Sequence, residues 1–222
     1  MRLFVLLFGF VTAGAWIVTS PSCRRMSPRS LMGREPVVVY EQVTVKTSSE
    51  GPPAQEITVE DLTPHINALV QASGVRDGSV NVVSRHTTTG ITINEWESRL
   101  IRDVRQWLLL LAPPDDRSTI GVAGKGITYL HNDINQRPDS ADERQRCIEN
   151  GWDVDDQIAL EAWRAQEPIN AHSHLMSMLL GSSETIPVAG GKIVLGQWQS
   201  VMLVDVDGPR DRTVGIQVMG YR

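Results

Sequence analysis

Five histidines occur in the 222-residue chain, and four of them, His86, His131, His172 and His174, fall in stretches with little regular hydrophobic pattern. Imidazole titrates near neutral pH and ligates divalent metals, so proton transfer or metal chemistry would be centred here. Asp133, Glu95 and Asn170 lie beside them in the sequence. Imidazole with carboxylate is the ligand set for zinc or a similar divalent ion, and equally the set for general acid and base work. His172 and His174 are two residues apart, and on a helix such residues project from different faces. Spacing therefore favours His131 with His174 as a pair.

Other side chains suit anions. Thr87-Thr88-Thr89-Gly90 follows His86 directly, and Ser182-Ser183 follows Gly181. Hydroxyls and permissive backbone of this kind hold phosphate, helped by Arg85 or Arg210, although no Walker loop is present. Ordinary turn chemistry accounts for the same residues. Trp198, between Gln197 and Gln199, stacks a ligand ring or fills the core. No Gly-x-Ser-x-Gly elbow occurs, and Cys147 has no histidine near it in sequence, so hydrolase triads are set aside.

The elements that must position these residues can be read from periodicity. Val37 to Thr47 alternates as a half-buried strand, ended by Gly51-Pro52-Pro53. Thr63-Pro64 opens a short helix running to Gly74, with Ile66, Leu69 and Val70 on its apolar face. Ser79 to Ser84 reads as a buried strand that delivers His86, with Ile91 to Ile93 as its continuation. A long helix is expected from an Asn94 cap to Leu111, on the stripe Trp96, Leu100, Val104, Trp107, Leu108 and Leu111. Gly121 to Gly126 leads to a strand before His131, and a polar excursion then runs to Gly151. Helices are expected over Asp155 to Gln166 and Ala171 to Leu180. Strands at Ile186, Ile193, Trp198 to Val206 and Thr213 to Met219 read as a meander. This order of strands, helices and strands predicts an α+β fold.

Length favours one domain. Of the formal charge of minus 5, residues 1–35 contribute five arginines and one acid, leaving minus 9 on the rest. Such a body is no general nucleic-acid binder. Arg2, the apolar run Leu3 to Val11 and Ala13-Gly14-Ala15 read as a signal peptide over residues 1–15. The Arg- and Ser-rich segment over 16–36 reads as a transit peptide, with the folded domain at 37–222. Together they resemble the bipartite leader of plastid proteins, with a plain secretory signal as the alternative; after leader removal no membrane association is expected. Cys23 lies in the leader, so Cys147 would be left without a disulfide partner.

Four blocks carry a family resemblance. They are Ser84-Arg85-His86-Thr87-Thr88-Thr89-Gly90-Ile91-Thr92-Ile93-Asn94-Glu95; Ala171-His172-Ser173-His174 with Leu180-Gly181-Ser182-Ser183; Ile186-Pro187-Val188; and Leu195-Gly196-Gln197-Trp198-Gln199. Their order and spacing resemble the YjbQ-like family, uncharacterised protein family 0047. Asp207-Gly208-Pro209-Arg210 looks like its late turn, and His131 to Ser140 like its longer eukaryotic branch. The resemblance implies an α+β domain, mostly antiparallel or mixed sheet with a few packed helices, assembled as a homotrimer. Matched motif positions are His86, Glu95, His131, His174, Trp198 and Gln199. His172 stands where many relatives carry Asp, and Gln197 replaces a common Thr.

The activity described for the family is a secondary thiamine-phosphate synthase, joining a pyrimidine pyrophosphate to a thiazole phosphate. Such chemistry needs Mg2+ or arginine on the leaving pyrophosphate and a flat platform for the pyrimidine. The expected catalytic residues are then His86, Glu95 and His174. Thr87, Thr88, Trp198, Gln199 and Arg210 would bind a small phosphorylated metabolite, and His131, Asp133, His174 and His172 would hold Mg or Zn. A metal-dependent phosphohydrolase or other small-molecule enzyme is one alternative, and a non-catalytic trimeric ligand-binding protein another.

Overall fold

Strand β1, Pro36–Lys46, and strand β8, Asp211–Tyr221, pair antiparallel along their whole length, which brings the two ends of the domain together. The computed structural model describes residues 33–47, 56–115 and 127–222, and the folded unit spans Glu35–Arg222. The expected signal segment and nearly all of the transit segment lie outside the described residues, as do the turns at Gly51 to Pro53 and Gly121 to Gly126. Between β1 and β8 come β2 (Glu56–Asp61), helix α1 (Thr63–Ser73), β3 (Asp77–Ser84), β4 (Thr89–Glu95) and helix α2 (Ser98–Leu111). Helices α3 (Ala141–Glu149), α4 (Gln157–Gln166) and α5 (Ala171–Leu180) follow, then β5 (Ser183–Ala189), β6 (Lys192–Ile193) and β7 (Gln199–Gly208). Two 3-10 turns, Leu130–Asn132 and Ile134–Gln136, precede α3.

The strands form two antiparallel sheets, one in the order β1-β8-β3-β5-β6 and one in the order β2-β7-β4. The fold is therefore α+β, as the element order predicts. Alternation along each strand decides which side chains meet between the sheets. Val80 and Val82, Ile91, Val201 and Leu203, and Val214 and Ile216 form that core with Ile66, Leu69 and Val70 of α1. The other face of β7 presents Met202, Val204 and Val206 to Leu108 of α2 and Met176 of α5. Strand β7 is thus buried on both sides, which is why it reads as a continuous apolar run.

Five local expectations change, one being that a 3-10 turn, Leu130–Asn132, stands where the sequence predicts a strand before His131. Asn94 belongs to β4, and α2 starts four residues later, where the Glu97 carboxylate accepts from the N–H groups of Arg99 and Leu100. A strong cap thus outcompetes a nominal one. The late strands make no meander: β7 pairs with β2 and β4, whereas β8 pairs with β1 and β3. Likewise β4 does not continue β3 but lies in the other sheet. The polar excursion is helical in part, with Ser140 capping α3 and a small core of Cys147, Val154 and Trp163.

These corrections locate the site. Arg85 to Thr88 carries the chain from the five-stranded sheet to the three-stranded one, and Pro209-Arg210 carries it back. Both crossings lie at the same end of the sandwich, since Thr213 N–H and C=O bond to His86 and Arg85.

Candidate functional site

At this end the inward rows turn polar. Asp205 follows Val201 and Leu203 on the inward face of β7, and Arg212 precedes Val214 and Ile216 on that of β8. They form an ion pair across the two sheets, with Asp205 fully buried and Arg212 3% exposed. Arg212 Nε donates to Asp205 Oδ2 at 2.8 Å, and its Nη2 donates to the Asp207 carbonyl at 3.1 Å and Thr88 Oγ1 at 3.3 Å. Thr47 Oγ1 donates to Asp205 Oδ2 at 2.9 Å, and the Asp207 N–H donates to Asp205 Oδ1 at 3.1 Å. A buried ion pair repays its desolvation only when saturated with hydrogen bonds in this way.

His86 stands on this network. Its Nε2 accepts the Thr213 N–H at 2.8 Å, so the neutral ring carries its proton on Nδ1. Burial lowers its pKa, and the positive charges of Arg212, Arg210 and Arg85 push in the same direction against Asp205. At neutral pH His86 is an uncharged donor whose Nε2 is already occupied. In this state the ring offers a donor at Nδ1 and no free acceptor. Thr87 is exposed beside it and Thr88 is buried against Arg212. Arg210, half exposed, is 3.2 Å from Asp207 Oδ2.

Helix α5 brings His172 and His174, and the 3-10 turn Leu130–Asn132 brings His131. Ser173 Oγ donates to the Val206 carbonyl and Ser177 Oγ to the Thr87 carbonyl, each at 2.6 Å, docking the helix on β7 and on the His86 crossing. The close fit depends on Gly90, where an added Cβ would meet Leu180 Cβ at 2.5 Å. Asn170 Nδ2 donates to Asp207 Oδ2 at 2.9 Å. His174 meets His131 edge to face, with ring centroids 4.8 Å apart and planes at 71°. Burial lowers the pKa of both, helped at His174 by His131 and at His131 by Arg137. Two adjacent imidazoles resist double protonation, which acts in the same direction as burial and keeps the pair uncharged at neutral pH.

The remaining expected residues are placed differently. His172 is 1% exposed, with Nδ1 unpartnered, and burial lowers its pKa. Asp133 lies in the link between the two 3-10 turns. His131 and His174 are the only two of the four expected metal ligands in ring contact, and no three His, Cys, Asp or Glu side chains among the described residues are grouped as a metal requires. This donor set does not by itself fit Mg or Zn. Glu95 pairs with Gln199 at the far end of β4 and β7, six residues beyond Thr89. At ~3.3 Å per residue that is roughly 20 Å from the His86 crossing. Trp198 is 70% exposed there, and Gln199 Oε1 accepts the Gly196 N–H at 2.7 Å, closing the turn before β7.

Asp205, Asp207 and Arg212 do not stand out along the chain, where 207–210 reads as a turn. Two aspartates alternating at the end of an apolar strand, mirrored by Arg210 and Arg212, were the signal available. Charges inside a doubly buried strand must be paired.

The fold and this end of it define an α+β sandwich protein with a histidine and arginine site built at the crossings between its sheets. The chain belongs to the UPF0047 protein YjbQ-like family, whose sequence pattern matches residues 52–221. It is 32% identical over 183 residues to a UPF0047 protein of Methanothermobacter thermautotrophicus, covering 82% of this chain and 93% of that one. A UPF0047 protein of Archaeoglobus fulgidus is 30% identical over 178 residues, covering 80% and 99%. Among solved structures, a YjbQ/UPF0047 family protein of Clostridium acetobutylicum superposes with TM-score 0.52 at 27% identity, covering 80% of this chain and 98% of that one. A YjbQ-like protein of unknown function from Sulfolobus solfataricus gives 0.56 at 23% identity, covering 84% and 99%, and shows the shared fold.

Proposed function

We propose that this protein is an enzyme acting on a small phosphorylated metabolite, with thiamine-phosphate-synthase-like transfer as the specific reaction. The observation that carries the reading is a neutral His86 at the crossing with the exposed Arg85 and Arg210 acting on it, the charge of Arg212 being held by Asp205, and with Thr87 next to it in the chain. Preorganised donors of this kind stabilise the charge that develops on a departing pyrophosphate. Arg210 and the His86 Nδ1–H grip the phosphate oxygens in this reading. As the thiazole nitrogen bonds to the pyrimidine methylene carbon and the C–O bond to pyrophosphate breaks, the pair of His131, on its 3-10 turn, and His174, on the helix docked against the same crossing, passes a proton from solvent to the departing pyrophosphate.

The family resemblance supplies the substrates, a pyrimidine pyrophosphate and a thiazole phosphate. The same resemblance supports a homotrimer, and exposed Leu110, Leu130 and Met178 offer apolar surface for such contacts. Incubating the full chain with both precursors and Mg2+ is expected to yield thiamine phosphate and pyrophosphate. His174→Ala is expected to cut turnover at least about 100-fold, in the range for loss of general acid or base catalysis. Absence of product together with absence of pyrophosphate binding would overturn the reading.

A further inference from the structure

We infer that Asn132 is the positioning residue that holds His131 against His174, and that it does so by capping helix α5 from another part of the chain. The first N–H groups of a helix lack intrahelical partners and are commonly satisfied by the side chain of the residue just before it. In α5 that residue is Asn170, and its side chain makes no cap. Its amide nitrogen is spent on Asp207 Oδ2. The Ala171 N–H is bonded at 3.0 Å by Asn132 Oδ1, 39 residues upstream.

Asn132 is 4% exposed and uses both ends of its amide. Nδ2 donates to Asp115 Oδ2 at 3.0 Å, and the same oxygen accepts the Tyr129 N–H at 3.1 Å. Tyr129 is tied further by its hydroxyl, which donates to the Pro113 carbonyl at 2.7 Å. The turn Leu130–Asn132 is a three-residue 3-10 segment with too few backbone bonds to fix its own position. Its place is set on one side by the segment after α2 and on the other by the start of α5, three residues before His174. The edge-to-face contact of His131 with His174 follows from that clamp. The diversion of Asn170 to Asp207 is what leaves the helix start open for it.

The inference rests on the reading that His131 and His174 work as a pair, but its test does not use turnover. With histidine rings labelled in the full-length protein, the wild type is expected to show a nuclear Overhauser cross-peak between the His131 and His174 ring protons. Asn132→Ala, and Asn132→Asp, which sets two carboxylates together, are expected to lose it. The double variant Asn132→Asp with Asp115→Asn exchanges donor and acceptor, keeps the bond between the two side chains and the carboxylate acceptor for the Ala171 N–H, gives up the acceptor of the Tyr129 N–H, and is expected to restore the cross-peak at reduced intensity. A cross-peak that persists in folded Asn132→Ala overturns the proposal. So does one that fails to return in the double variant, whether folded or not. Should the cross-peaks behave as expected while no phosphorylated substrate is turned over, the enzymatic reading fails and the clamp stands.

Discussion

Asp205 on β7 and Arg212 on β8 form a buried ion pair that joins the two sheets at the end where His86, Arg210 and helix α5 converge. Each belongs to a different sheet, so the pair fixes the relation between the two chain crossings that carry the site. Removing one partner leaves a buried charge uncompensated. Asp205→Ala or Arg212→Ala is expected to destabilise the domain by roughly 3–5 kcal/mol, read from urea denaturation. A loss below about 1 kcal/mol, the value typical of exposed pairs, would show that water reaches the pair.

Arg210 is the exposed member of the cradle and carries little of the fold. Its replacement by Ala is expected to weaken pyrophosphate binding about 10- to 100-fold by titration calorimetry, the effect of a charged hydrogen bond worth roughly 1.5–3 kcal/mol. The unfolding midpoint should barely move. Unchanged affinity would place the anion elsewhere.

The pH dependence follows from the lowered pKa of His86, to which His131, His172 and His174 add in the same direction. Free imidazole titrates near 6.5, so below that pH the unfolded chain takes up protons that the folded chain resists. Stability is therefore expected to fall as pH drops through 6.5 toward the folded values, and His86→Gln should flatten the slope. Urea midpoints at pH 7.5, 6.5 and 5.5 check this, and a midpoint that rises on acidification would contradict it.

Trp163 packs with Cys147 and Val154 in a cluster separate from the two sheet cores, and Arg137 sits 5.4 Å above its ring. Trp163→Ala is expected to cost about 3–5 kcal/mol within the excursion. Amide exchange should accelerate over α3 and α4 and leave β7 and β8 protected. Uniform loss of protection would show that the excursion and the sheets unfold as one.

Gly90 lies directly beneath Leu180. Gly90→Ala is expected to destabilise by about 1–3 kcal/mol through overpacking and to shift α5 away from the His86 crossing. Shift changes at His174 in an amide spectrum would report the movement, and an unperturbed α5 would refute it.

Much of this was legible along the chain, because local causes act over a few residues. Alternation marks β1, β-branched and continuous apolar runs mark β3 and β7, the Thr63-Pro64 start and Gly74 stop mark α1, and the motif blocks point to His86, His131 and His174. Single-chain pattern is silent about which sheet a strand joins, and so by sequence β4 reads as an extension of β3 and β7 as the neighbour of β8, whereas β4 pairs with β7 and β8 with β3. Sheet membership is decided by pairing between residues far apart in sequence. On it depended the separation of Glu95 and Trp198 from the histidines, and the meeting of Asp205 with Arg212. The amino-acid order by itself determined the elements, the family and the identity of the reactive side chains. Tertiary structure alone decided which of them share a site, since a proton on Nδ1 of His86 and a helix capped from 39 residues away exist only once those distant backbones are brought together.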